Sequence, residues 1–156
     1  MSDQPRHPGR RDVAVAALLD DEDRVLLVRT RRLPDYWQPV GGGVEPADGS
    51  FLDAAARELR EELGVILSRD ALRFELSTSY DFGQGEVRFF SARLPGTCEL
   101  VPNRAEIEEL CWSKVSAALQ LPAFPATQKF LRHLNQRLGG GSPRTGRSNG
   151  SAPGSA

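Results

Sequence analysis

Two stretches near the start of the chain have the apolar character of buried strands. Residues 12–19 are almost continuously apolar, and residues 24–31 contain a second apolar run. The acidic segment 20–23 separates them, and it lacks the spacing and the downstream glutamate of a calcium-binding EF-hand loop. The pattern therefore predicts two strands joined by a hairpin turn.

The middle of the chain changes to a helical period. Apolar residues there return every three or four positions and form one stripe, made of Leu52, Ala55, Ala56, Leu59 and Leu63. Ser50 is a suitable N-terminal cap with Asp53 three residues later, and Gly64 is a suitable C-terminal stop. This segment therefore predicts an amphipathic helix.

The remaining pattern places strands on both sides of this helix and a second helix at the end. These elements are a loop or short strand at 34–43, a hairpin formed by 72–82 and 86–94 around the turn 83–85, a short strand at 110–113 and an amphipathic helix at 125–138. Strands that precede and follow a central helix indicate a mixed α/β or α+β fold, with helices packed on the faces of a sheet.

The two ends of the chain differ from this patterned middle. Residues 1–11 are polar, and residues 139–156 consist almost entirely of Gly, Ser, Pro, Arg, Asn, Thr and Ala. Segments of this composition have too little apolar surface to offset the entropy lost on ordering. We predict a disordered arm at 1–11, one folded domain at 12–138 and a disordered tail at 139–156.

Charge and cysteine content restrict the class of protein. The formal net charge of −1 disfavours a nucleic-acid binder and gives no reason to expect a membrane-surface protein. The longest early apolar run is too short to cross a bilayer, so we expect no membrane partner. The N-terminus has no secretory apolar segment. Cys98 and Cys111 form no CxxC pair and suit reduced thiols. We therefore expect a cytoplasmic protein, and we leave a homodimer open.

The central helix carries an acidic group that helix stability does not explain. Glu58, Glu61 and Glu62 stand at positions i, i+3 and i+4, so their carboxylates repel one another. They also lie toward the C-terminal end, where the helix dipole disfavours negative charge. One interpretation is an ordinary solvated face balanced by arginines. The other is a hard-cation site, and the preceding run of glycines favours it because glycine lets the backbone approach an ion or phosphate closely.

The order of residues here resembles the Nudix box of the MutT/Nudix hydrolases. That box is a glycine, five residues, Glu, seven residues, then Arg-Glu-apolar-any-Glu-Glu-any-Gly-apolar. Residues 57–65 match the second half at every specified position. A weaker resemblance in the order of elements extends over residues 12–138. The resemblance implies a Nudix-like α/β/α sandwich with a mixed central sheet.

The first half of the box departs from the family pattern. If Gly43 opens the box, Gly49 stands where the family has Glu. Alternatively Gly42 opens it, Asp48 replaces the Glu, and one residue is inserted before the helix. We prefer the second alignment, because Asp keeps the negative charge and a turn can absorb an insertion. In the family this acid mainly supports the geometry of the loop.

The resemblance also implies roles for residues of the box. Glu58 and Glu62 resemble the principal metal ligands, and a backbone carbonyl at Gly42 would complete the ligand set. Glu61 resembles a further ligand or the residue that orients the attacking water. Structural roles are implied for three other residues, namely Arg57, which would pair with carboxylates, Gly43 and Gly64.

Beyond the box, the family often supplies one more acid as a ligand or general base from a loop before a late strand. Here the candidates are Glu106, Glu108 and Glu109, which are otherwise ordinary solvated acids, and we choose Glu106 as a catalytic residue.

Residues for substrate binding are harder to assign. Trp37 precedes the glycines and could stack on a base or pterin ring or pack in the core, and Arg32 could face phosphates or solvent. Tyr80, Phe82 and Phe89 alternate at strand spacing, which favours packing on the sheet.

These features predict a metal-dependent hydrolase in which water attacks a phosphorus of a diphosphate linkage. The expected substrate is a small nucleotide or nucleotide-like diphosphate, a nucleoside diphosphate linked to another moiety such as a (d)NTP. The expected cofactor is Mg²⁺, with Mn²⁺ as the alternative. Hydrolysis of ADP-ribose or dinucleoside polyphosphates is the nearer alternative. A nucleotide sensor without turnover is the alternative from another class, but such proteins typically lose box carboxylates that this chain keeps.

Overall fold

The fold of residues 9–139 is described by a computed structural model. Its strands are β1 (Val13–Leu19), β2 (Arg24–Thr30), β3 (Val40–Gly43), β4 (Arg73–Ser79), β5 (Glu86–Arg93) and β6 (Ile107–Lys114). Its helices are α1 (Phe51–Leu63), α2 (Val115–Ala118) and α3 (Pro125–Arg137), with a 3-10 turn at Arg69–Ala71. No helix within the described residues is long and apolar enough to cross a membrane.

The strands form one mixed sheet in the order β4-β5-β1-β2-β6, and β3 pairs with the first half of β1. The β1–β5 pair is parallel from Val13 opposite Val87 to Leu19 opposite Arg93, and the other named pairs are antiparallel. β1 pairs with β2 only at its end, where Leu19 lies opposite Val25. The first half of the same edge of β1 pairs with β3 instead. The glycine strand thus lies next to the centre of the sheet.

Helices cover both faces of this sheet, which explains why β1 is apolar at nearly every position. Ala14, Ala16 and Leu18 face a core that includes Leu59 and Leu63 of α1. The alternate β1 residues face a second core that includes Phe130 and Leu134 of α3, and they are Val15, Ala17 and Leu19. The α/β/α sandwich with a mixed central sheet, expected from the resemblance, is therefore confirmed.

Most predicted elements are present, with differences at some boundaries. β6 begins at Ile107 rather than at residue 110, and α2 was not predicted. Residues 9–11, assigned to the disordered arm, have a defined place, because the Arg11 N–H donates to the Gln84 carbonyl at 2.8 Å. The predicted disorder of 1–8 and 140–156 lies outside the described residues and stays a prediction.

A buried ion network joins α3 to the edge of the sheet. The Glu75 side chain on β4 is 1% exposed, and it accepts hydrogen bonds from Arg137 Nε at 2.8 Å and Ser91 Oγ at 2.5 Å. His133 Nε2 lies 2.9 Å from Glu75 Oε1. Burial alone would raise the pKa of Glu75, but these hydrogen bonds and the charge of Arg137 together hold it below its ordinary value. Glu75 is therefore a buried carboxylate whose charge is balanced.

Candidate active site

Helix α1 is held at both ends by the residues that its sequence predicted. Ser50 Oγ accepts a hydrogen bond from the Asp53 N–H at 3.1 Å, and Gly64 adopts the left-handed conformation with φ 67°. The Gly64 N–H donates to the Arg60 carbonyl at 3.0 Å. A Cβ at Gly64 would also lie 3.1 Å from the Val101 side chain. The helix therefore ends sharply, one residue after the acidic stretch.

One wall of a cavity of about 700 Å³ is acidic. Glu58, Glu61 and Glu62 of α1 line it, together with Glu106 from the loop before β6. That loop is tied to the helix, because the Asn103 N–H donates to the Glu62 carbonyl at 2.8 Å. Four carboxylates from two separate segments of the chain thus border one space.

Glu58 lies directly against the glycine strand. A Cβ at Gly42 would lie 2.3 Å from Glu58 Oε2, closer than any side chain could be accommodated without displacing that carboxylate. Gly41 is similarly confined, since its Cβ would lie 2.6 Å from the Ala14 carbonyl oxygen. The glycines therefore allow the buried Glu58 carboxylate to contact backbone.

Arg57 connects the loop before α1 to the acidic wall. Its guanidinium donates to both Asp48 carboxylate oxygens at 2.9 Å and to the Gly43 carbonyl at 3.0 Å. Its Nη1 also donates to Glu58 at 3.2 Å and to Glu61 at 3.0 Å. Asp48 accepts from the Glu45 N–H at 2.7 Å as well, so this acid supports the loop geometry in the way expected of the family's first box acid.

The acidic wall is incompletely balanced. Burial raises the pKa of Glu58, and the charges of Glu61 and Glu106 raise it further, although Arg57 opposes them. The pKa of Glu62 is raised to about 7, first by burial and then by the neighbouring charges of Glu106 and Glu58. The Glu106 carboxyl is also close enough to share a hydrogen bond with protonated Glu62, which raises the pKa of Glu62 further. Excess negative charge in a cavity favours occupation by a cation.

The donor set of this wall fits a hard divalent ion, because it consists of oxygen atoms and because the Gly42 cradle holds Glu58 at the backbone. Within residues 9–139, however, no three acidic, histidine or cysteine side chains are already arranged to hold a metal ion. Arg57 Nη1 stands between Glu58 and Glu61 instead.

A second wall of the cavity is aromatic. Tyr80 and Phe82 come from the loop between β4 and β5, and Phe124 precedes α3. Phe82 is 61% exposed and packs edge-on against Phe124, with ring centroids 5.0 Å apart, while Tyr36 stacks on Phe124 at 4.1 Å. β5 and β1 separate β4, the strand that leads into this loop, from the glycine strand β3.

Comparison with known proteins decides the family. The NUDIX domain matches residues 9–134. The chain belongs to the Nudix family. Its members are hydrolases of acid anhydrides in phosphorus-containing substrates.

Individual relatives agree with this membership. The NAD-capped RNA hydrolase NudC of Stutzerimonas stutzeri is 32% identical over 130 residues, which are 83% of this chain and 45% of that protein. The Nudix chain thus spans less than half the length of that relative. The E. coli dihydroneopterin triphosphate pyrophosphohydrolase has a TM-score of 0.66 at 21% identity, covering 80% of this chain and 92% of that one. The NUDIX domain of Shewanella oneidensis NrtR, in complex with ADP ribose, has a TM-score of 0.70 at 17% identity, covering 87% and 94%. At such identities the two structures show a shared fold alone.

The residues predicted for substrate binding have different surroundings in this Nudix domain. Arg32 lines the cavity, but Trp37 is absent from the residues that line it. Trp37 instead packs against the core that includes Phe130 and Leu134 of α3. The Arg29 guanidinium lies over its ring, with Cζ 5.3 Å from the ring centroid. The placement of Trp37 favours the core-packing interpretation.

Sequence reasoning missed the aromatic wall. The prediction of packing on the sheet is confirmed for Tyr80, which packs against the core that includes Phe89 and Phe130. It is wrong for Phe82, which lies beyond the end of β4 and is 61% exposed. Only Phe89 lies within the sheet, where it is buried and stacks on Phe130 at 4.6 Å. The predicted turn at 83–85 was too short, because the connection between β4 and β5 runs from 80 to 85 and includes Tyr80 and Phe82. Asp81, a poor strand former inside the predicted strand 72–82, was the available signal that the strand ends earlier.

Proposed function

We propose that this Nudix domain hydrolyses a diphosphate linkage in a nucleotide, a nucleoside diphosphate linked to another moiety. The observation that carries the proposal is the convergence of Glu58, Glu61, Glu62 and Glu106 on one wall of a cavity. Membership of a family of anhydride hydrolases supports the same reaction class.

The acidic wall would hold Mg²⁺ or Mn²⁺ through Glu58 and Glu62, with a backbone carbonyl at Gly42. The bound ion would supply charge compensation for the phosphate oxygens and an acidified water. Glu61 and Glu106 are the protein groups available to orient that water and accept its proton. Glu61 is suited to this because its side chain is 49% exposed, while Glu58 is buried against the glycines.

Arg57 would position these groups. It fixes Glu58 and Glu61 relative to the Asp48 loop, since its guanidinium contacts all three carboxylates. Arg32 supplies a cation to the cavity for the phosphate chain of the substrate.

The aromatic wall supports a substrate with a flat ring. Tyr80, Phe82 and Phe124 present aromatic surface to the cavity, and stacking on such surfaces is tolerant of the identity of the base. Phosphates at the acidic wall and a ring at the aromatic wall suit a nucleotide better than a ring-free polyphosphate. The cytoplasm remains the expected compartment, consistent with the free thiols Cys98 and Cys111.

A substrate panel tests the proposal. Nucleoside triphosphates, NAD, diadenosine polyphosphate, ADP-ribose and dihydroneopterin triphosphate are assayed with Mg²⁺, Mn²⁺ or EDTA, with inorganic tripolyphosphate as the ring-free control. Product analysis separates phosphate from pyrophosphate release. We expect metal-dependent turnover of at least one ring-bearing compound and little of tripolyphosphate.

Two results would contradict the proposal. Tight nucleotide binding without metal-dependent turnover of any compound would favour the sensor. Equal rates for Glu61→Gln, Glu62→Gln and wild-type proteins on every active substrate would remove the acidic wall from the chemistry.

A further inference from the structure

The segment that leads into β1 is fixed between two neighbouring strands. The Arg11 N–H donates to the Gln84 carbonyl, and the Asp12 carbonyl accepts from the Val44 N–H, both at 2.8 Å. The Asp12 carboxylate accepts from the Glu86 N–H at 3.0 Å. The backbone of residues 11–12 is therefore held on both sides.

Gly85 makes this placement possible. A Cβ at Gly85 would lie 1.8 Å from the Arg11 carbonyl oxygen, and its φ of 137° lies in the region that favours glycine. Two independent features, the hydrogen bonds and the missing side chain, thus place Arg11 at one position beside the cavity.

The Arg11 guanidinium lies against the glycine strand and lines the cavity. A Cβ at Gly43 would be 3.1 Å from Arg11 Nη1 and 3.2 Å from its Cζ. A Cβ added at Gly42, one residue earlier, would instead point toward Glu58. Because successive residues of a strand face opposite sides, Arg11 and Glu58 lie on opposite faces of β3. Both border the same cavity, which therefore extends past the strand.

Unlike Arg31 and Arg57, and like Arg32, Arg11 lines the cavity without a hydrogen-bonded partner for its guanidinium among residues 9–139. Arg57 is bonded to Asp48 and its neighbours, and Arg31 donates to the Arg104 carbonyl at 2.8 Å. Among residues 9–139, no carboxylate or carbonyl is paired with the Arg11 guanidinium. A guanidinium that lies at a cavity without a protein partner, on a backbone held by hydrogen bonds, suits a phosphate, whose oxygens match its paired N–H groups.

We propose that Arg11 binds an anionic phosphate oxygen of the substrate, on the face of β3 opposite Glu58. The inference rests on the proposed function, since it assigns a specificity-determining residue to the same cavity. Arg11 would act on substrate affinity rather than on the water that attacks phosphorus, because the carboxylates stand on the other face. Its position next to the loop 80–85 places it on the side of the aromatic wall.

Arg11→Gln and Arg11→Lys test the proposal, with Arg10→Gln as the matched control. Arg10 is the adjacent arginine, but it pairs with Asp12 at 2.9 Å and is absent from the cavity lining. We measure KM and kcat on the best substrate of the panel, and the Kd of ADP in EDTA by calorimetry. Circular dichroism checks that each variant folds.

We expect Arg11→Gln to raise KM and the Kd of ADP about tenfold, the loss of one charge-assisted hydrogen bond, with kcat within about twofold of wild type. Arg11→Lys keeps the charge but not the paired donors, so its KM and its Kd for ADP should lie between those of wild type and those of Arg11→Gln. Arg10→Gln should match wild type.

The outcomes separate this inference from the proposed function. If wild type turns over substrate and Arg11→Gln matches Arg10→Gln in KM and in ADP affinity, the assignment of Arg11 is overturned while the proposed function stands. If no compound is turned over but ADP affinity still depends on Arg11, the proposed function fails and the binding role stands. Failure of wild type to bind ADP at all overturns the assignment.

Discussion

Two acidic regions of this domain have opposite electrostatic characters. Glu75 is almost completely buried, yet Arg137, Ser91 and His133 satisfy its carboxylate, and its pKa lies below the ordinary value. On the cavity wall, the pKa of Glu62 is raised to about 7 because burial and neighbouring carboxylates act against its charge.

The difference shows which carboxylates stabilise the fold and which do not. Folding stability alone would not gather like charges at Glu58, Glu62 and Glu106, because each raises the free energy of the others. A carboxylate that only joins α3 to the sheet acquires partners, as Glu75 does. Unbalanced charge therefore marks the candidate site, while the balanced carboxylate of Glu75 joins α3 to the sheet.

The largest expected effect concerns the unbalanced region. Glu62→Gln should lower kcat by a factor of about 10²–10⁴ on any active substrate, because it removes a predicted ligand carboxylate. The free energy of unfolding should stay equal or rise, since a repelling charge is removed. Steady-state kinetics and urea denaturation measure both quantities.

Glu99→Gln is the matched control for that substitution. Glu99 is an exposed glutamate outside the cavity lining, so its replacement should leave kcat and stability unchanged. The distinction between the two regions would be wrong if Glu62→Gln kept full activity. It would also be wrong if Glu62→Gln lowered the free energy of unfolding as a Glu75 variant should.

The balanced region should respond in the reverse way. Glu75→Gln should lower the free energy of unfolding by about 2 kcal/mol, because Arg137 loses its buried partner but keeps some access to water. kcat should change little. Urea denaturation measures the loss, and Glu86→Gln, which removes a more exposed acid paired with Arg88, should cost less than about 1 kcal/mol. Equal losses of unfolding free energy in the two variants would show that the Glu75 network stabilises the fold no more than the Glu86–Arg88 pair does.

A divalent ion should discriminate between the regions. At a Mg²⁺ concentration ten times its Kd, the wild-type protein should gain about 1.4 kcal/mol of stability. Glu75→Gln should gain as much, whereas the double variant Glu58→Gln/Glu62→Gln should gain far less. Denaturation with Mg²⁺ and with EDTA gives these increments, and an undiminished increment in the double variant would place the ion elsewhere.

The smallest effect is the dependence of stability on pH. The folded pKa of Glu75 lies below its ordinary value of 4.5, so its contribution is present above that pH and is lost as pH falls through the folded pKa. The stability difference between wild type and Glu75→Gln should therefore narrow on acidification. Urea denaturation at several pH values between about 3 and 7 measures it, and a difference that widens below 4.5 would contradict the assigned sign.

The fold was largely predictable because its signals are local. Ser50 and Gly64 mark the ends of α1, and the apolar stripe between them determines its buried face. The Nudix box predicted the family and the acidic wall for the same reason, since Glu58, Glu61 and Glu62 lie within two turns of one helix.

Other features depend on contacts between distant segments. Glu75 looks like an ordinary polar strand residue until Arg137, 62 residues away, is brought beside it. The connection 80–85 and the aromatic wall depend on where β4 ends, which apolar alternation did not indicate. Arg11 belongs to a polar segment, and its position beside the cavity depends on backbone contacts with Gln84 and Gly85 from a distant loop.

The loop that carries Phe82 is fastened to α3. Both carboxylate oxygens of Asp81 accept from the Ala126 N–H in the first turn of that helix, at 3.2 and 3.3 Å. A designer who exchanges residues 80–85 for the loop of another Nudix protein would also remove this acceptor. The transferable unit for changing ring preference is therefore the loop together with residues 124–127, moved as one cassette.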